Sequence, residues 1–196
     1  MIRNILIATT QVPFTKGGAE LHVEGLRRAL IENGYNAEVV ALPFKWYPPT
    51  EIMRSAMAWR MLDLSAANGR PVDLVIGMKF PAYLVAHPTK VLWILHQHRS
   101  AYNLWGTAFD DLSTYPEGVR IREWIKYCDE RFIPEARKSL CELANSRCQV
   151  EALQQHRQRA LVSSAATGGS TANRRAGRLR LLSEPARAAK AAGTVD

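Results

Sequence analysis

The chain has 196 residues, a hydrophobic fraction of 47% and a formal net charge of +8 at pH 7. This length predicts one domain of ordinary size, alone or with a tail, and the hydrophobic fraction excludes disorder throughout the chain. No apolar run approaches the roughly 20 residues that cross a bilayer, so we expect a cytoplasmic protein without a membrane-spanning helix.

The first part of the chain alternates compact apolar runs with helical patterns. Asn4–Thr10 is a β-branched run typical of a strand buried on both faces. A helix is predicted over Gly18–Asn33, where Asn33 and Gly34 form a stop signal. A second strand is predicted over Ala37–Leu42, and a second helix over Thr50–Ala67.

The same alternation continues along the chain. We predict strands over Asp73–Met78, Lys90–Leu95 and Leu140–Asn145, and helices over Val119–Ala136 and Cys148–Arg159. Alternation of this kind requires crossover connections, so the fold class is α/β: a Rossmann-like parallel sheet with helices on both faces. Such sheets bind ligands beyond the carboxyl ends of their strands, which directs attention to the loops after residues 10, 42, 78 and 95.

The end of the chain differs in composition from the rest. From Arg157 onward there are eight basic and two acidic residues, which is +6 of the total charge, and no aromatic residue follows Phe132. Such a stretch buries too little apolar surface to offset the entropy lost on ordering. We therefore predict one domain over residues 1–159 and a disordered, basic, low-complexity tail over residues 160–196.

The loop after the first strand contains two glycines at the mouth of a helix. Free backbone N–H groups and the helix dipole favour an anion such as phosphate there, and Gly17 and Gly18 allow its close approach. Lys16 adds positive charge. The loop lacks the dinucleotide-binding and Walker signatures, and a plain strand-to-helix turn is an equally good interpretation of the glycines alone.

The loop after the fourth strand contains two histidines. His96 and His98 can exchange a proton near neutral pH or bind a hydroxyl or phosphate. Arg99 can pair with an anion, and Tyr102 and Trp105 offer flat faces to a sugar ring. The alternative is that one histidine is a buried structural residue, although histidines, arginine and aromatic residues together favour a functional loop.

A His-x-His pair can also hold zinc. Only Asp110 and Asp111 lie near enough in sequence to complete such a site, so no metal is expected.

Three segments in this order resemble family-4 glycosyltransferases of the GT-B fold, specifically their amino-terminal domain. They are Gly-Gly-Ala-Glu at residues 17–20, Trp-Ile-Leu-His-Gln-His-Arg at 93–99 and Leu-Ala-Asn-Ser at 143–146. The resemblance extends from about Ile2 to Arg159. It implies transfer of a sugar from a nucleotide-sugar donor to a glycan or related acceptor, with no bound metal or other cofactor.

The resemblance also implies roles for residues of the first loop. Gly17 and Gly18 match the glycine loop whose backbone faces the phosphates of the donor. Lys16 stands in the same loop and is assigned to the donor phosphates, and Glu20 is assigned to substrate binding.

Further roles follow for the second loop and the last strand. His96 matches the histidine close to the reacting sugar, and His98 is the second catalytic candidate. Arg99, Tyr102 and Trp105 are assigned to the substrate. Asn145 and Ser146 match the end of the last strand before the crossover to a partner domain.

The chain departs from the family after this point. The family's second domain binds the nucleotide sugar through two glutamates spaced eight apart, and the only acidic residues after Arg157 are Glu184 and Asp196. We therefore expect a fragment, truncated or frame-shifted before the donor domain. Alone it should bind acceptor weakly and transfer little sugar, unless a separate chain supplies the missing domain.

Two other functions remain open. One is a non-catalytic α/β binding module whose basic tail docks on an anionic membrane or on nucleic acid. The other is a different nucleotide-dependent enzyme, such as an epimerase, on the same sheet. For the transferase we expect nucleotide-sugar and glycan as partners, peripheral association with the inner face of the membrane, and no specific nucleic acid.

Overall fold

A parallel sheet of five strands forms the centre of the structure, a computed structural model that describes residues 2–141. The strands in chain order are β1 (Asn4–Gln11), β2 (Asn36–Pro43), β3 (Ala66–Ala67), β4 (Arg70–Pro71), β5 (Leu74–Gly77), β6 (Lys90–Ile94) and β7 (Lys138–Cys141). The sheet has the order β2–β1–β5–β6–β7, and every neighbouring pair is parallel. The predicted Rossmann-like α/β fold is confirmed.

Three helices connect the strands: α1 (Gly18–Glu32), α2 (Thr50–Met61) and α3 (Gly118–Phe132). They cover both faces of the sheet, as β1 illustrates. Ile5 and Ile7 pack with Val23 of α1, whereas Leu6 packs on the opposite face with Trp59 of α2. Helix α3 shares with α2 a core cluster that also contains Leu92 and Ile94 of β6. Alternation along β1 thus buries both of its faces, as the sequence predicts.

The second predicted helix is shorter than expected. We predicted Thr50–Ala67, but α2 ends at Met61, and Leu62 adopts extended backbone angles. Strands β3 and β4 follow as a small antiparallel hairpin. Asn68 and Gly69 form its turn with φ values of 49° and 72°, which is the left-handed geometry that Asn-Gly adopts readily. The turn chemistry therefore overrides the helical apolar pattern.

The last described strand begins earlier than predicted, at Lys138 rather than Leu140. Its register is set by β6, where Val91 lies opposite Lys138. The rest of the predicted last strand, Asn145 and Ser146, the helix over 148–159, the domain boundary and the tail lie outside the described residues. Among residues 2–141, no helix is long and apolar enough to cross a membrane.

Candidate functional site

The candidate site lies at one edge of the sheet, where β1, β2, β5 and β6 end; we call it the carboxyl edge. Parallel pairing brings the loops that follow these strands to the same edge. Hydrogen bonds also join the ends of these strands and the residues that follow them. The Met78 N–H donates to the Ala8 carbonyl, the Leu95 N–H donates to the Met78 carbonyl, and the Thr10 hydroxyl donates to the Phe80 carbonyl. The glycine loop, which follows β1 and contains Lys16 and Gly17, and the histidine loop, which follows β6 and contains His96 and His98, are therefore on one edge, separated by β5.

The glycine loop is exposed at this edge. Gly17 precedes α1 in extended geometry, and Lys16, Gly17 and Gly18 are all exposed to solvent. An added Cβ would meet no atom within 4 Å at Gly18, so open space surrounds its backbone. This open space leaves room for an anion to approach the backbone at Gly18, and donor binding itself stays a prediction.

Glu20 has a different environment from the one expected of a substrate contact. Its Oε2 accepts a hydrogen bond of 2.8 Å from the Gly17 N–H, and its Oε1 lies 2.8 Å from Lys79 Nζ. Lys79 lies two residues after the end of β5, so this ion pair links the start of α1 to the next loop of the edge. The carboxylate therefore occupies the anion position at the mouth of α1, a position that negative charge stabilises.

The electrostatics of Glu20 agree with this geometry. Partial burial acts to raise its pKa, but the hydrogen bonds from Lys79 and from the Gly17 N–H outweigh it, and the net pKa is lowered. Glu20 is therefore ionised at neutral pH. An external phosphate that reached the Gly17 N–H would have to displace it.

His96 is half-buried directly after β6. Its Nδ1 lies 2.8 Å from the carbonyl oxygen of Gln97, and because a carbonyl only accepts, Nδ1 carries the proton in the neutral ring. Its Nε2 then holds the lone pair and can accept a hydrogen bond or a proton. This tautomer suits the catalytic role that the sequence predicts, which stays a prediction.

His98 is the more enclosed of the two histidines. Its ring lies against Phe80 and Phe44, with centroid distances of 5.3 and 6.2 Å. Burial lowers the pKa of His98 to about 4. The charge of Asp111 acts to raise this pKa and that of His96 acts to lower it further, so the net result is a ring that is neutral at pH 7. Its Nε2 is buried and has no hydrogen-bond partner among the described residues.

Between the two histidines, Gln97 points to a buried carboxylate on α3. Asp129 is completely buried and accepts hydrogen bonds from Gln97 Nε2 at 3.0 Å and from the hydroxyls of Tyr83 and Tyr102 at 2.7 Å each. Burial raises the Asp129 pKa from 3.8 to about 6, although these three hydrogen bonds act to lower it. Asp129 thereby fixes the histidine loop to α3.

The three remaining predicted substrate residues differ in their surroundings. The Tyr102 hydroxyl donates a hydrogen bond to Asp129, and its ring packs against the core. This side chain therefore contributes to the internal structure of the protein. Trp105 is half-buried, and the Arg122 guanidinium lies 4.5 Å from the centre of its ring. Arg99 is exposed in a short 3₁₀ turn after His98. Of these three residues only Arg99 is exposed, and substrate binding by all three stays a prediction.

A small pocket lies beside His98; we call it the aromatic pocket. Its volume is about 190 Å³. The lining residues come from the loop after β2, the start of α2, the loop after β6 and the segment before α3: Trp46, Tyr47, Pro49, Ile52, His98, Asp111, Leu112 and Tyr115. The carboxyl edge thus combines an exposed glycine loop with a small, partly open pocket that aromatic side chains help to line.

Sequence reasoning missed several of these residues, although signals for them exist. Asp129 lies on the buried face of α3 beside Ile125 and Cys128, and a charged residue on an apolar helical stripe indicates a special environment. Lys79 and Trp46 lie in the loops after residues 78 and 42, where ligands of this fold class bind.

Two other chemistries find no support among residues 2–141. No group of three or more His, Cys, Asp or Glu side chains in that range is arranged to hold a metal ion. Cys128 is buried, and burial raises the pKa of its thiol to about 12, which disfavours a nucleophilic thiolate.

Comparison with known proteins gives no match. No protein family, no curated protein and no solved structure matches the chain. The support for a function therefore comes from the sequence pattern and from the geometry of the carboxyl edge.

Proposed function

We propose that the chain is the acceptor-side part of a glycosyltransferase, which transfers a sugar from a nucleotide-sugar to a glycan or related acceptor. One observation carries the proposal: the exposed glycine loop and His96 lie at the same edge of the sheet. A transferase needs donors for phosphate oxygens and a group that binds the attacking hydroxyl within one cleft. We place this activity in the cytoplasm or at the inner face of the membrane.

Some of these residues are assigned to the leaving diphosphate and others to the attacking hydroxyl of the acceptor. Backbone N–H groups at Gly17 and Gly18, with Lys16 and Lys79, would stabilise the charge of a leaving diphosphate. His96 Nε2, with its lone pair, would accept a hydrogen bond from the acceptor hydroxyl. Stabilisation of the leaving group by cations and helix termini requires no metal ligand in this part of the chain.

The internal carboxylate of Glu20 provides a direct test of the anion site. Pyrophosphate is titrated into the full chain while backbone amide shifts are followed by NMR, and the largest shifts are expected at residues 16–20. In Glu20→Gln the competing charge is absent, so we expect pyrophosphate to bind about fivefold more tightly, corresponding to about 1 kcal/mol. Glu24→Gln on the exposed side of the same helix is the matched control, with less than a twofold change.

The outcomes separate the proposal from a plain strand-to-helix turn. Shifts confined to other regions, or equal affinities for the wild type, Glu20→Gln and Glu24→Gln, would contradict a phosphate site at the glycine loop. The transferase proposal would then have no binding site for the phosphates of the donor.

The charge of the tail favours a second candidate, a binding module for an anionic surface. Eight basic against two acidic residues after residue 156 supply +6. Vesicles containing anionic lipid, and duplex DNA, are compared for binding to the full chain and to a chain ending at residue 159. Binding that is lost with the tail favours this candidate; binding that survives in the shorter chain rejects it.

A further inference from the structure

We infer that the aromatic pocket is a subsite for a single uncharged sugar ring. The inference specifies the acceptor of the proposed transfer, and to that extent it rests on the proposed function. Three features of the pocket support it: an imidazole nitrogen without a hydrogen-bond partner among the described residues, an oriented carboxylate and partly exposed aromatic rings.

The first feature is His98 Nε2. This nitrogen is buried without a hydrogen-bond partner among the described residues. A buried polar atom without a hydrogen-bond partner destabilises the protein, and a ligand hydroxyl can supply the missing bond because it both donates and accepts. The ring stays neutral above about pH 4, so it offers a hydrogen bond and no charge.

The second feature is the Asp111 carboxylate. The Ser100 hydroxyl donates to its Oδ1 at 2.6 Å and holds the group in place. No hydrogen bond from a described residue reaches Oδ2, which can therefore accept from a sugar hydroxyl. The same negative charge disfavours a phosphate or a carboxylate in this pocket. A nucleotide diphosphate thus belongs to the glycine loop, and an uncharged, hydroxylated ligand belongs here.

The third feature is the set of aromatic rings. Trp46, Tyr47 and Tyr115 line the pocket, with 37%, 53% and 38% of their surfaces exposed. Trp46 and Tyr47 contact each other edge to face at 5.3 Å, which restrains both rings. Lys45 lies 5.3 Å from the centre of the Tyr47 ring but is not part of the lining. The C–H faces of a sugar ring pack on such surfaces while its hydroxyls reach His98 and Asp111.

The test uses the full chain and a panel of methyl glycosides of common hexoses. Each is titrated to about 50 mM, well above the millimolar dissociation constant of a weak single-ring ligand. NMR follows the indole N–H of Trp46 and the imidazole signals of His98. We expect at least one glycoside to shift both groups and to bind at least fivefold more weakly to Trp46→Ala and to Asp111→Asn. Phe109→Ala, an equally drastic change at an exposed aromatic residue that does not line the pocket, should change affinity less than twofold.

Three results would overturn the inference. They are the absence of glycoside binding across the panel, binding that Trp46→Ala and Phe109→Ala weaken equally, and preferential binding of indole or phenol over every glycoside. The last result would identify a pocket for aromatic groups.

A pyrophosphate titration of the same samples distinguishes this inference from the proposed function. Glycoside shifts at Trp46 without pyrophosphate shifts at residues 16–20 would support the sugar subsite and reject the phosphate site. The reverse result would reject the subsite and retain the phosphate site.

Discussion

Replacing Asp129 by asparagine tests whether burial governs the carboxylate that anchors the histidine loop. Its pKa rises from 3.8 to about 6 because the group is buried, and this rise corresponds to about 3 kcal/mol. Between these pKa values the folded chain holds a proton that the unfolded chain has lost. The free energy of unfolding therefore falls as the pH rises from about 4 to about 6.

Asparagine does not titrate, so Asp129→Asn lacks this dependence. We expect the wild-type minus variant free energy of unfolding to be about 3 kcal/mol larger below pH 4 than at pH 7. Urea unfolding followed by the fluorescence of the five tryptophans measures both proteins across this range. Taking the difference cancels the carboxylates that the two proteins share.

If the three hydrogen bonds to Asp129 outweighed burial, its pKa would be lowered, and the difference would grow as the pH rises. A flat or rising difference would therefore refute the argument. Glu123→Gln, at an exposed position of the same helix, is the matched control and should show no comparable dependence.

Two further substitutions test the interior at other positions. Lys90 is completely buried, with its Nζ near three backbone carbonyls and 3.4 Å from Glu135, so Lys90→Met should lower the free energy of unfolding by about 3–5 kcal/mol. Lys126→Met removes a surface ion pair with Glu123 and should change the free energy of unfolding by less than about 1 kcal/mol. If urea unfolding gave equal losses for the two variants, burial of Lys90 would not contribute to stability. Gly118→Ala would place a Cβ 2.1 Å from the Leu112 carbonyl oxygen and should cost at least about 1–3 kcal/mol. An added Cβ at Gly25 in α1 would meet no atom within 4 Å, so Gly25→Ala should instead stabilise the protein by about 0.5–1 kcal/mol. Similar shifts of the melting temperature for the two glycine variants would contradict the packing argument.

Most of the fold could be predicted because it depends on local patterns. The apolar run of β1 and the periodicity of α1 each fix an element within a few residues. The predicted end of α2 was wrong because the apolar pattern continues past Met61. The Asn68-Gly69 turn instead determines that a hairpin follows the helix. That dipeptide is a strong hairpin signal, and it outweighs weak helical periodicity.

The candidate site was less predictable because its key contacts are distant in sequence. His96 and His98 could be recognised from their position after a strand. The partner of Gln97 lies 32 residues away on α3, and no local pattern pairs the two. Likewise, the sequence alone leaves Glu20 as a candidate for substrate binding, because only the fold brings Lys79 close enough to pair with it.

The carboxylate of Asp129 also has a consequence for the order of folding. It joins Gln97, Tyr102 and Tyr83 across separations of 32, 27 and 46 residues, and each such closure loses chain entropy before its contact forms. Gln97 and Tyr102 of the histidine loop both bind this carboxylate on α3, so the loop gains these two contacts only when α3 docks. We therefore expect the imidazoles to be among the last groups to reach their native positions during refolding, which makes their NMR signals a sensitive reporter of complete maturation.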